Sequence, residues 1–112
     1  MAGVRLNRRL VLEAADRVPD GAGGVVVTWG ARGTLWADIR ARTGRERGGE
    51  AASLSTTGYR IVVRAAPHGA PSRPLPGQRF RDGARLFTIH AVAEADADRR
   101  YLTCFAEQEV AL

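Results

Sequence analysis

Two strand-like runs flank a long polar segment in the first half of the chain, and this arrangement limits the fold more than any other feature. Residues 35–41 and 59–65 both alternate apolar and polar side chains, the pattern of a strand with one buried face. The segment between them, residues 42–57, is too long for a tight hairpin and contains three glycines. Since glycine weakens a helix by roughly 1 kcal/mol relative to alanine, we expect a long inserted loop with at most one or two helical turns.

The remainder of the chain also predicts short strands. Strand-like runs occupy residues 6–13, 25–29, 78–81, 84–92 and 100–107. No helical stripe longer than two turns interrupts them. The sequence therefore predicts a single all-β domain over residues 1–112, a small antiparallel β-barrel or sandwich of six to seven strands.

Turn signals separate these runs. They lie at residues 20–24, 30–33, 82–83 and 96–98, where glycine or aspartate is concentrated. Four of the five prolines fall in residues 67–77. Because proline cannot join a central strand, this segment is expected to be an extended connector.

Composition excludes several classes of protein. The chain has 112 residues and 45% hydrophobic content, which suits one modest core. No apolar run approaches the ~18 residues of a membrane span, and the arginine-bearing N-terminus lacks the apolar core of a signal peptide. The lone Cys104 excludes an internal disulfide and is expected in the core, as is Trp29. We therefore expect assembly in the cytoplasm, without contact with a membrane.

Charge is distributed unevenly along the chain. All 17 basic residues are arginine. Residues 40–85 hold ten arginines against three acidic residues, whereas residues 94–112 hold five acidic residues against two arginines. A basic middle and an acidic end are able to complement one another between neighbouring subunits, but simple solvation of both segments explains the pattern too.

The sequence carries no constellation typical of an enzyme. It lacks the nucleophile-elbow, phosphate-loop and dinucleotide fingerprints. His68 and His90 have no third metal ligand nearby, and the acidic turn at residues 94–98 lacks the calcium-loop pattern. We expect no catalytic residues, no metal and no cofactor.

Seven short motifs follow one another along nearly the whole chain. They are a basic strand (residues 6–13), a glycine-rich turn (20–24) followed by Trp29, Trp36-Ala37-Asp38-Ile39, Thr43-Gly44-Arg45-Glu46, Tyr59-Arg60-Ile61, a strand at 83–89, and Leu102-Thr103-Cys104. Their order and spacing resemble those of the phage head–tail joining family, also called head-completion or stopper proteins. A relative in a phage-like gene transfer agent fits equally well. Gly48, Gly49 and the proline-rich connector depart from the family pattern.

The resemblance implies a structural role in a virion. It implies that the protein is a β-barrel subunit of a ring of six or twelve copies. The ring would lie at the head–tail junction of a particle assembled in the bacterial cytoplasm. The expected partners are the portal or adaptor protein, the tail terminator or tail proteins, and, transiently, the packaged double-stranded DNA. The ring holds the DNA in and presents a platform for the tail.

The same resemblance assigns the long loop to the central channel. Its candidate channel residues are Arg42, Gly44, Arg45, Glu46 and Arg47. The arginines among them either touch phosphates weakly or pair with acidic residues of the loop and of neighbouring subunits.

A second candidate site lies on the strand before the loop. Trp36, Asp38 and Arg40 point away from its apolar face. A tryptophan on an otherwise polar face suits a subunit interface, although a second small core beneath the long loop is an equal alternative. Arg60 and Arg64 on the next strand face either a partner or solvent.

Two other functions fit a small barrel of this composition. One is an arginine-rich module that binds nucleic acid, although only seven scattered aromatic residues are available for stacking on bases. The other is a tail terminator, another virion assembly component of similar size.

Overall fold

Six antiparallel strands close into a barrel in this computed structural model, which describes residues 3–42 and 58–109. The strands are β1 (Arg8–Pro19), β2 (Val25–Ala41), β3 (Gly58–Arg64), β4 (Arg79–Asp82), β5 (Arg85–Glu94) and β6 (Tyr101–Gln108). They are hydrogen-bonded in the order β1-β2-β3-β6-β5-β4, with β4 returning to β1. The expected all-β antiparallel barrel is confirmed. Residues 3–42 and 58–109 contain no helix long and apolar enough to cross a bilayer.

Alternating side chains fill the interior of the barrel. The core consists of Leu10, Leu12, Ala37, Ile61, Val63, Phe80, Phe87, Ile89, Leu102, Cys104 and Ala106, each at most 1% exposed. Every strand contributes at least one of them, because one face of each strand points inward. The expected burial of Cys104 is confirmed, and the expected hairpin at Asp82-Gly83 joins β4 to β5 with Gly83 at a φ of 62°.

One expected turn is absent. Residues 30–33 do not separate two strands, because β2 runs without a break for 17 residues. The glycines there accommodate a β-bulge instead: Leu12 pairs with Gly33 but Glu13 pairs with Ala31, so Arg32 has no partner on β1. Gly33 has a φ of 154°, which favours glycine.

The first hairpin extends beyond the barrel. β1 pairs with β4 only through residues 11–13, and β2 pairs with β3 only through residues 37–41. Residues 14–30 therefore project as a two-stranded ribbon, which we call the arm. At its tip the Asp20 carboxylate accepts hydrogen bonds from the backbone N–H groups of Ala22 (2.7 Å) and Gly24 (2.9 Å), as the expected turn requires.

Candidate assembly interface

The outer faces of β2, β3 and β6 form one continuous surface, the outer wall. Because their alternate residues enter the core, the intervening residues face outward and line up across the strands. They form three rows: Trp36, Arg64 and Tyr101; Asp38, Val62 and Thr103; and Arg40, Arg60 and Phe105. The interface candidates Trp36, Asp38 and Arg40 thus belong to one surface, on which Arg60 and Arg64 also lie.

The middle row is nearly buried although it lies outside the barrel. Asp38 is 7% exposed, Val62 5% and Thr103 9%. The N-terminal segment crosses this row, and the Arg5 backbone N–H donates to Asp38 Oδ2 at 2.9 Å. Arg40 donates to both oxygens of the same carboxylate, from Nε at 3.2 Å and from Nη2 at 3.0 Å.

The contacts of Asp38 define its role. Burial alone would raise the pKa of the carboxyl, but the hydrogen bonds from Arg40 and the Arg5 backbone outweigh that effect and lower it. Asp38 is therefore a charged anchor that fixes the N-terminal segment and orients Arg40. Trp36 and Arg40 are left as the accessible members of the three candidates.

The row that contains Trp36 is both aromatic and basic. Trp36 is 54% exposed. Arg9 on β1 is its cross-strand partner, and the Arg64 guanidinium lies 6.0 Å from the centre of the Tyr101 ring. A groove beside Trp36 is lined by Thr34, Leu35, Arg64, Ala65, Ala66 and Ser72. We call this the Trp36 groove. Its lining is partly apolar, and tryptophan is enriched at interfaces, so the interface interpretation of Trp36 is compatible with this surface and stays a prediction.

The third row lies where β2 ends and β3 begins. The guanidinium groups of Arg42 and Arg60 lie 5.7 Å and 6.0 Å from the centre of the Phe105 ring. The Arg42 backbone N–H donates to the Gly58 carbonyl at 2.8 Å, so the two ends of the loop meet at one end of the barrel. Of the channel-loop candidates only Arg42 is described; Gly44, Arg45, Glu46 and Arg47 lie outside the described residues.

A buried ion-pair cluster joins the base of the arm to the barrel. Glu13 is 5% exposed and accepts hydrogen bonds from Arg79 Nε at 2.7 Å and from Arg81 Nη2 at 2.6 Å. Burial would raise the pKa of Glu13, but the two arginines hold it below its ordinary value. Trp29, expected in the core, is only half-buried and packs against the Arg79 guanidinium, 4.0 Å from its ring centre.

The sequence contained only half of the signal for this cluster. Arg79 and Arg81 are two residues apart in a strand and so share a face. Their partner Glu13 is 66 and 68 residues away and reaches them only because β4 closes the barrel against β1. No local pattern predicts that pairing.

Known proteins share both the sequence and the fold of this chain. The sequence profile of the phage head completion protein family matches residues 1–109. A chain from the virion of a native gene transfer agent particle is 57% identical, with a TM-score of 0.78, over 95% of this chain and 96% of that one.

A solution structure of a protein from Shigella flexneri 2a shares the fold at 21% identity. Its TM-score is 0.71, and 98% of each chain is covered. A search of curated proteins found no match. Within residues 3–42 and 58–109, no three His, Cys, Asp or Glu side chains are grouped as a metal site would require. The profile match and the 57% identical virion chain agree: this protein belongs to the phage head completion protein family.

Proposed function

We propose that this protein is a non-enzymatic structural component that forms a ring at the head–tail junction of a phage-like particle. The ring would connect the portal or adaptor to the tail and close the DNA channel after packaging. The observation that carries the proposal is the 57% identity, over 95% of the chain, to a component of a gene transfer agent virion. The head completion family match points to the same stage of assembly.

Because the interior of the barrel is packed with side chains, a channel for DNA would lie between copies of the protein and not inside one copy. Eleven core side chains, including Phe80 and Phe87, fill the interior. A duplex therefore cannot thread a single barrel, so the copies of a ring would have to surround it. A closed ring of identical subunits needs two different complementary surfaces on each copy.

The long loop is the proposed closing element of that channel. Both of its ends are held at one end of the barrel by the hydrogen bond between Arg42 and Gly58. Shortening the loop across residues 45–53 should leave the barrel folded, because all six strands and the core residues identified in the described part of the chain are kept. Packaged DNA should then leak from particles, measured as nuclease-sensitive DNA; retention equal to that of the unmodified particle would contradict this role.

The outer wall is the proposed contact between subunits. Trp36 offers exposed aromatic area and Arg40 an oriented charge, while Asp38 holds Arg40 in place. Tryptophan and arginine are the residue types that most often dominate binding energy at interfaces.

The position of the protein in the particle tests this function. A small epitope tag following residue 98, in the exposed turn between β5 and β6, should leave the outer wall and the arm intact. Gold-labelled antibody should then mark the neck of each particle. Label on the capsid surface or at the tail tip, or particles without the protein, would contradict the proposal.

A second candidate function, sequence-independent binding of duplex DNA, is favoured by the exposed arginines of the outer wall. Arg40, Arg42, Arg60 and Arg64 lie on one surface with three aromatic side chains, Trp36, Tyr101 and Phe105. If they bind phosphates, DNA affinity should fall steeply with salt, and Arg60→Gln with Arg64→Gln should reduce the slope by about 2. Affinity that does not depend on salt would exclude this function.

A further inference from the structure

The outer half of the arm exposes large apolar side chains on both faces, which is unusual for a ribbon in water. The cross-strand pair Val18 and Val26 occupies one face, while Val25 and Val27 occupy the other. All four valines are between 46% and 56% exposed. A two-stranded ribbon is at best marginally stable alone, and strands apolar on both sides are typical of strands covered on both sides. The arm therefore has the surface of an element that packs into a partner.

The edges of the arm support the same conclusion. Within the described residues, residues 14–19 of β1 and 25–30 of β2 have each other as their only strand partners. Two unpaired edges leave backbone N–H and C=O groups facing outward. The β1 edge is discouraged from pairing by Asp16, Arg17 and Pro19, whereas residues 25–30 of β2 carry neither a charge nor a proline, so the β2 edge is the open one.

The same chain exposes a surface that suits the arm. The Trp36 groove combines an exposed indole with Leu35, Ala65 and Ala66, and two arginines flank it, Arg9 and Arg64. The arm carries four exposed valines in its outer half and a carboxylate, Asp20, at its tip. The two surfaces are complementary in polarity, apolar to apolar, and in charge, anionic tip to cationic rim.

A copy cannot place the arm in its own groove. Val26 and Trp36 belong to the same unbroken strand and are ten residues apart. At about 3.3 Å per residue they are ~30 Å apart along β2. Folding the arm back would break the pairing of β1 with β2, so any Trp36 groove that the arm reaches belongs to another molecule.

We propose that the arm of one copy docks into the Trp36 groove of the next copy. The contact joins two different surfaces, so it is directional and allows a closed ring. The inference rests on the proposed ring and adds which elements make the contact between copies. The fixed orientation of the arm follows from the Glu13–Arg79–Arg81 cluster at its base, with the Arg79 guanidinium packed on Trp29.

Site-specific photo-crosslinking in assembled particles tests this contact. A photoreactive benzoylphenylalanine replaces Val26 on the arm, and a control chain carries it in place of Ala97, in the exposed β5–β6 turn. Irradiation should convert the chain modified at position 26 into dimers and higher multiples. The crosslinked peptide should contain residues 34–37 or 64–72 of the second copy, and the control should give no such product.

Three results would overturn the inference. They are an adduct between position 26 and a different virion protein, a crosslink to another surface of a second copy, and no adduct from particles that contain the modified chain. A second chain, modified at Val27 on the opposite face, repeats the test if the first does not fold or enter particles. Gold labelling of the neck is read independently, so a protein found at the neck without the crosslink disproves the docking contact alone.

Discussion

The Glu13 carboxylate joins the two strands at which the barrel closes. It lies between Arg79 and Arg81 where β4 meets β1, and it is nearly buried. Replacing one partner of a buried ion pair leaves the other charges without compensation in a poorly solvated place. The partial exposure of Arg81 reduces that penalty, because water reaches its guanidinium.

Glu13→Gln should therefore lower the free energy of unfolding by about 3 kcal/mol, measured by urea denaturation. The matched control is Glu94→Gln, which removes an exposed pair with Arg99 at 3.8 Å and should change stability by less than about 0.5 kcal/mol. Equal effects of the two substitutions would show that the cluster does not stabilise the barrel.

Stability should also fall in acid through Glu13 and Asp38. Both carboxyls have a pKa lowered in the folded protein by their arginine partners, against the opposing effect of burial. Their stabilisation is complete above the ordinary pKa values of 4.5 and 3.8 and is lost as the pH falls through the lowered values. Urea midpoints should be constant near neutrality and decline below about pH 4.5, less steeply for Glu13→Gln. An identical decline in that variant would contradict this assignment.

Cys104 should be inert in the folded protein. Its side chain is fully buried, and burial raises the pKa of the thiol to about 12. A thiol reagent at neutral pH should label it only as fast as the chain unfolds. Ala97→Cys, in an exposed turn, provides the comparison and should react at once; equal labelling rates at the two positions would show that the core opens readily.

Some elements of the fold are predicted by the alternation of apolar and polar residues within one strand. Others depend on which strands pair with one another, and the local sequence does not show this. Alternation along β3 and β6 predicted the burial of Ile61 and Cys104, because each strand has one face inside the barrel. Alternation along β2 likewise predicted that Trp36 points outward.

The sequence did not predict the arm, and the reason is physical. Glycines at residues 30–33 are typical of a turn, but here they permit a bulge that exists only opposite Leu12 and Glu13 of β1.

The ion-pair cluster depends on β4 returning to β1, a contact between segments more than 60 residues apart. Local sequence carries no information on either pairing.

The arm should be dispensable for folding but required for assembly. Replacing residues 16–28 by an Asn-Gly turn keeps the Ala15–Trp29 pair and removes no core residue. The melting temperature should change by no more than about 5 °C, equivalent to about 1 kcal/mol. The shortened chain should be missing from purified particles, as assayed by mass spectrometry. If the shortened chain unfolds, the arm is needed for folding. If it enters particles normally, the arm is not needed for assembly, and either result would contradict this prediction.

The whole molecule is a small barrel that exposes surfaces able to pack against other molecules. Its core is filled, while the arm, the Trp36 groove and the arginines of the outer wall remain exposed. Burying such surfaces between neighbours adds stability that the isolated domain lacks and makes that stability depend on assembly. This arrangement suits a protein whose folded form is completed in a particle.

The proposed role at the head–tail junction can be tested by electron microscopy of particles from a producing strain that lacks this gene. If the protein forms the proposed ring, heads that lack it have neither a closure for their DNA nor a platform for the tail. We predict tailless heads that have lost DNA, tails assembled separately, and normal particles when the intact gene is restored. Normal tailed, DNA-filled particles from the deletion strain would contradict it.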